Sequence, residues 1–123
     1  ILHIGYLWVP VGLTLLGLAA LGAGVPQSAA VHALTAGAMA TMILAVMTRA
    51  SLGHTGRELR AGAATTILYT LVTAGAVLRV GSALGALDYT LGMRAAGLAW
   101  GAAFLLFLIA YAPVLFGPRL GER

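Results

Sequence analysis

Four long apolar stretches separated by short polar breaks set the pattern of this chain. They run over roughly 1–24, 29–49, 61–80 and 93–116, each close to the ~20 residues a helix needs to cross the hydrocarbon of a bilayer. Hydrocarbon offers backbone N–H and C=O groups no partner, so runs of this length are expected to be helical. The breaks are Pro26-Gln27-Ser28, the polar stretch from Ser51 to Arg60, the segment 81–92 with Asp88 and Tyr89, and Gly117-Pro118. Pro10, inside the first run, predicts a kink there. The expected fold is all-α, a single transmembrane domain over 1–123 made of about four antiparallel membrane-spanning helices joined by short loops.

Composition strengthens that picture. The chain is 61% hydrophobic and 8% charged, with a mean hydropathy of +1.01, against about 25% charged residues in an average soluble domain. All seven basic residues are arginines, scattered at the ends of apolar runs. The sequence pI of 10.4 therefore marks no nucleic-acid surface, since no basic stripe or interleaved aromatics accompany it. Basic residues in short loops stay cytoplasmic. Arg49, Arg57 and Arg60 flank or occupy the second loop, and Arg119 and Arg123 the tail, so that end and both termini are expected on the cytoplasmic face. Arg79 and Arg94 border the opposite loop and dilute the contrast. The chain opens on Ile1, already inside an apolar run, which predicts a piece of a longer polytopic protein whose remaining helices, with the lipid, would be its partners.

Small residues matter here because membrane helices associate by close backbone approach. Ala29, Ala33, Gly37, Thr41 and Ala45 recur every four residues, and Gly97 and Gly101 form a GxxxG pair. The expectation is tight packing within one bundle, with a homo-oligomer as the other reading.

Several residues have chemistry to offer. An ionisable group inside a membrane is costly and thus a functional candidate. His32 lies about one turn inside its run, among Ala29, Ala36 and Met39, which leave space beside the ring. A neutral imidazole projecting into an apolar slot suits haem iron; an imidazole bonded to a carbonyl of a neighbouring helix is the structural alternative. Met39 lies on nearly the same face, and thioether with imidazole suits copper(I), although methionine is also a common gap-filler. His54, between Gly53 and Gly56, and His3, at the start of the first run, are expected near one surface, where they could share a metal. Arg79 is expected at the depth of His32, either holding a propionate, snorkelling to the headgroups, or pairing with Asp88. The chain has no cysteine and three acidic residues, Glu58, Asp88 and Glu122. Thiolate metal sites are excluded, and nothing supports a hydrolase.

The segment from His32 to Arg57 contains Arg49-Ala50-Ser51-Leu52-Gly53-His54-Thr55-Gly56-Arg57, an unusually polar exit from an apolar helix. It resembles the NnrS family, bacterial inner-membrane proteins described as containing haem and copper and linked to nitric oxide. The resemblance implies that this chain corresponds to the last third of a longer protein. It also implies that His32 and His54 are haem or copper ligands, with Arg57 a propionate partner if the cofactor lies near the cytoplasmic side. His3 falls outside the motif and Arg49 within it. The implied function is nitric oxide binding or electron transfer at a histidine-ligated metal, with a b-type haem and copper as cofactors. A permease subunit lined by His32 and Arg79, and a structural assembly module without cofactor, are the alternatives the residues leave open.

Overall fold

A computed structural model describes residues 1–119; Glu122 and Arg123 lie outside the described residues. Among the described residues, four helices are long and apolar enough to span a membrane: α1 (Leu2–Ala20), α2 (Gln27–His54), α3 (Ala63–Ala83) and α4 (Tyr89–Phe116). The all-α membrane bundle expected from the apolar pattern is therefore the fold observed.

Helix ends depart from the apolar boundaries wherever side chains can satisfy the backbone. α2 continues five residues past Arg49, because polar side chains keep its last turns hydrogen-bonded. Ser51 Oγ donates to the Met47 carbonyl and Thr55 Oγ1 to the Ser51 carbonyl. The helix stops where Gly56 takes a φ of 70°, which lets the Arg57 amide return to the Leu52 carbonyl. The polar exit motif is thus a helix with its terminating turn, and His54 is its last helical residue rather than a loop residue. α4 likewise begins earlier than the apolar run, at Tyr89, because Asp88 accepts a hydrogen bond from the Leu91 amide at 2.7 Å and caps the helix. The loop expected over 81–92 shrinks to Leu84–Asp88. α1 passes through Pro10 as continuous helix.

α2 is also not one uniform helix. Residues Ala33–Met39 form a π-helical stretch between α-helical turns. Such local widening recurs at functional sites.

Packing follows chain order. α1 lies on α2, α2 on α3, and α3 and α4 form the most extensive pair. In the hydrophobic window of α2 half the residues are buried, against 11% in that of α1, so α2 is the centre of the bundle and α1 lies at its edge. The main core joins Leu44 of α2, Leu68 and Val72 of α3, and Phe107 and Tyr111 of α4. Close approach occurs over particular glycines. A Cβ added to Gly75 would stand 3.1 Å from the Ala96 carbonyl oxygen and 3.2 Å from the Trp100 amide nitrogen, both backbone atoms of α4. The indole of Trp8 lies on Gly37. Gly97 and Gly101, by contrast, meet nothing within 4 Å. The expectation that this GxxxG pair packs the bundle is corrected: both glycines face outward, and Gly75 makes the tight α3–α4 crossing.

Candidate functional site: a His–Arg cleft in the membrane

His32 and Arg79 come together. His32 stands one turn inside the start of α2 and Arg79 one turn before the end of α3, and antiparallel packing brings these two levels face to face. Arg79 Nε donates to His32 Nδ1 at 3.4 Å, and both residues are half-buried. Asp88 is engaged as the cap of α4, and among the described residues it forms no ion pair with Arg79. Nor, among the described residues, is His32 bonded to a carbonyl.

The pair stands on a cleft of about 580 Å³ between α2, α3 and α4, within the size range of small-molecule and cofactor sites. α2 supplies Val31, His32, Thr35, Ala36, Met39, Ala40 and Ile43; α3 supplies Arg79; α4 supplies Gly97, Trp100 and Phe104. The π-helical stretch carries Thr35, Ala36 and Met39 into this wall, and Thr35 Oγ1 donates to the Val31 carbonyl. The rings of Trp100 and Phe104 lie 4.4 Å apart and tilted by 41°, forming an aromatic wall. Val31, Met39, Ile43 and Trp100 are exposed, so the cleft opens sideways, at the flank of the bundle.

The other nominated residues sit elsewhere. His54 lies 22 positions along α2 from His32, about 30 Å at 1.5 Å per residue, and so at the other end of the bundle. His3 shares that end, because α1 is antiparallel to α2, and both of these histidines are exposed. Arg57 is there too, with its Nη2 beside the α4 terminus at Gly117 and its Nη1 buried without a partner. A guanidinium is favourable at the negative end of a helix dipole, and that is where Arg57 stands. His32 and His54 therefore cannot ligate one metal, and Arg57 cannot reach a group bound at His32. Met39 does line the His32 cleft. Among the described residues, no group of three or more His, Cys, Asp or Glu side chains is gathered to hold a metal ion.

Trp100, Phe104, Gly97 and Thr35 were not nominated from the sequence. The signal was present in α4, where Gly97, Trp100 and Phe104 share a face at spacings of three and four.

A cleft with one imidazole, one guanidinium and an aromatic wall fits a flat, largely apolar group carrying an acid. Haem is such a group, and the exposed backbone at Gly97 leaves room for a ring face. One feature of the donor set must change. In the neutral ring the Arg79 contact places the proton on Nε2, whereas ligation through Nε2 requires it on Nδ1, and ligation through Nδ1 requires that atom free. Either way Arg79 must release His32, and a propionate is a bidentate acceptor able to draw it off.

Fold and cleft together define a polytopic membrane protein with an apolar cleft open at the side of its bundle. Within that class the chain belongs to the NnrS family: the family model described as NnrS protein matches residues 1–119. No curated protein and no solved structure matches it.

Proposed function

We propose that this chain is part of a haem-containing membrane protein of nitric oxide metabolism, with the His32–Arg79 cleft as the haem site. The observation that carries the reading is the meeting of His32 and Arg79 on an apolar, aromatic-walled cleft inside the bundle. His32 would hold the iron and Arg79 a propionate, while Trp100 and Phe104 cover the macrocycle. Haem bound there supplies an iron that binds nitric oxide or cycles one electron. Nitric oxide is small and uncharged, so a cleft opening onto lipid admits it without a polar path.

Copper, the second cofactor implied by family resemblance, would find one imidazole and the Met39 thioether in this cleft. A copper site built here therefore takes further donors from another segment or chain. His54 and His3 form a separate pair of donors at the opposite end. The arginine-rich end and both termini are assigned to the cytoplasmic side of a bacterial inner membrane, on the distribution of arginine.

The test is the visible absorption of the detergent-purified protein, oxidised and dithionite-reduced, after expression with ample haem supply. A Soret band that is lost or changed in shape in His32→Ala, and that falls in amount but keeps its position in Arg79→Gln, is the expected result. The same band retained in full by His32→Ala would remove haem from this cleft. A colourless wild-type protein would move the reading to transport or assembly.

A further inference from the structure

A second site lies at the arginine-rich end. α1 rests on α2 and leaves a groove of about 670 Å³ between itself and α3, lined by Ile1 and Ile4 on one wall and by Thr66, Thr70, Thr73 and Val77 among others on the opposite one. The three threonines are not polar lining in effect. Each donates its hydroxyl to the carbonyl four residues back, on Gly62, Thr66 and Tyr69, which leaves methyl groups to line the wall. From Thr66 to Leu78 the groove spans about 18 Å at 1.5 Å per residue, close to the ~15 Å of one leaflet's hydrocarbon.

At its arginine-rich end the groove meets a smaller cavity of about 240 Å³; Ile1 and Tyr69 line both. This cavity is of different chemistry. Its polar lining is Thr48, Arg49, Arg60, Thr65, Tyr69 and Tyr111. Thr48 gives its proton to the Leu44 and Ala45 carbonyls, so Tyr69 donates to Thr48. Thr65 and Tyr111 share one hydrogen bond at 2.8 Å, which leaves one hydroxyl hydrogen of the pair unused. Among the described residues Arg49 has no carboxylate partner, and Arg60 stands 3.8 Å from Glu58 with both side chains about four-fifths exposed, a pair worth little in water. Two guanidinium groups and a spare hydroxyl donor thus face a cavity that continues into an acyl-sized apolar groove.

We propose that this composite site binds an anionic phospholipid, its phosphate held by Arg49 and Arg60 and one acyl chain lying in the groove between α1 and α3. The net charge of the headgroup follows from the lining. A choline or ethanolamine cation would be repelled by the two arginines and gains most from a carboxylate beside the phosphate, which the lining does not offer; Tyr69 and Tyr111 are engaged through their hydroxyls with Thr48 and Thr65. The lipid would act as the packing partner that α3 does not provide for the N-terminal half of α1. The headgroup cavity lies at the opposite end from His32, the groove shares no lining residue with the His32 cleft, and the proposal does not depend on the cofactor reading.

Native mass spectrometry of the protein released from mild detergent tests this, together with thermal unfolding in added phosphatidylglycerol, phosphatidylcholine or inorganic phosphate. The expected result is one retained phosphatidylglycerol-class lipid and a melting shift with phosphatidylglycerol alone. Arg49→Gln/Arg60→Gln should weaken that binding roughly thirtyfold, from about fivefold per basic contact. Ile4→Trp, on an exposed position of the groove wall, should displace the lipid by bulk without removing charge. Equal retention of zwitterionic lipid, a shift reproduced by phosphate alone, or unchanged binding in both variants would overturn the proposal.

Discussion

Thr41 shows how a single residue can carry an unresolved cost. It is fully buried in α2, and among the described residues its hydroxyl has no hydrogen-bond partner. An unsatisfied buried donor costs about 1–3 kcal/mol, whereas a same-shaped apolar side chain costs nothing there. Thr41→Val is therefore expected to raise the melting temperature in detergent; a clear fall would show that the hydroxyl has a partner in the assembled protein. Asp88 works the other way. Its carboxylate is the only side-chain cap among the four spanning helices, and Asp88→Ala should cost about 1 kcal/mol on unfolding in denaturant. His32 and Arg79 were legible singly, as ionisable residues in apolar runs. Their contact was not, because it joins positions 47 apart in sequence.

At the scale of elements, two glycine environments on facing helices make opposite predictions. Gly75 of α3 touches backbone of α4, which cannot yield, so Gly75→Leu should separate the hairpin and destabilise it by about 1–3 kcal/mol or more. Gly97 meets nothing within 4 Å yet lines the cleft. Gly97→Leu should leave thermal stability unchanged while filling the cleft, so that haem content falls without loss of folded protein. Sequence spacing favoured the GxxxG pair at Gly97 and Gly101 over Gly75, since the motif records small residues and not what lies opposite. The π-helical stretch was equally hidden. α and π turns draw on the same small apolar residues, and the register between them is set by what packs around the helix.

For the whole molecule, the first consequence of the bundle is separation. α2 is 28 residues long, about 42 Å at 1.5 Å per residue, which exceeds a ~30 Å hydrocarbon core and places His32 and His54 at different faces. A group bound at His32 would thereby be separated from the residues at the other end. Sidedness can be measured directly, because the chain has no cysteine to interfere. His54→Cys should be labelled by an impermeant thiol reagent only after the cytoplasmic side is opened, and Leu87→Cys, in the α3–α4 loop, from the outside of intact cells. The reverse pattern would invert the topology drawn from the arginines.

By itself the sequence determined the class of the fold: four apolar runs in a chain with so few charges have one way to satisfy their backbone in hydrocarbon, and that way is local. It also contained the polar exit at Arg49–Arg57 and the ionisable residues worth questioning, since both are properties of single segments. Tertiary structure alone decided which of them meet. It joined His32 to Arg79, added Trp100 and Phe104 from a helix some 70 positions away, turned Gly97 outward, and sent His54, His3 and Arg57 to the far end. The physical reason is that helix formation saturates hydrogen bonds within one segment, whereas a cleft depends on the crossing and rotation of several helices, which are fixed only when their side chains pack together.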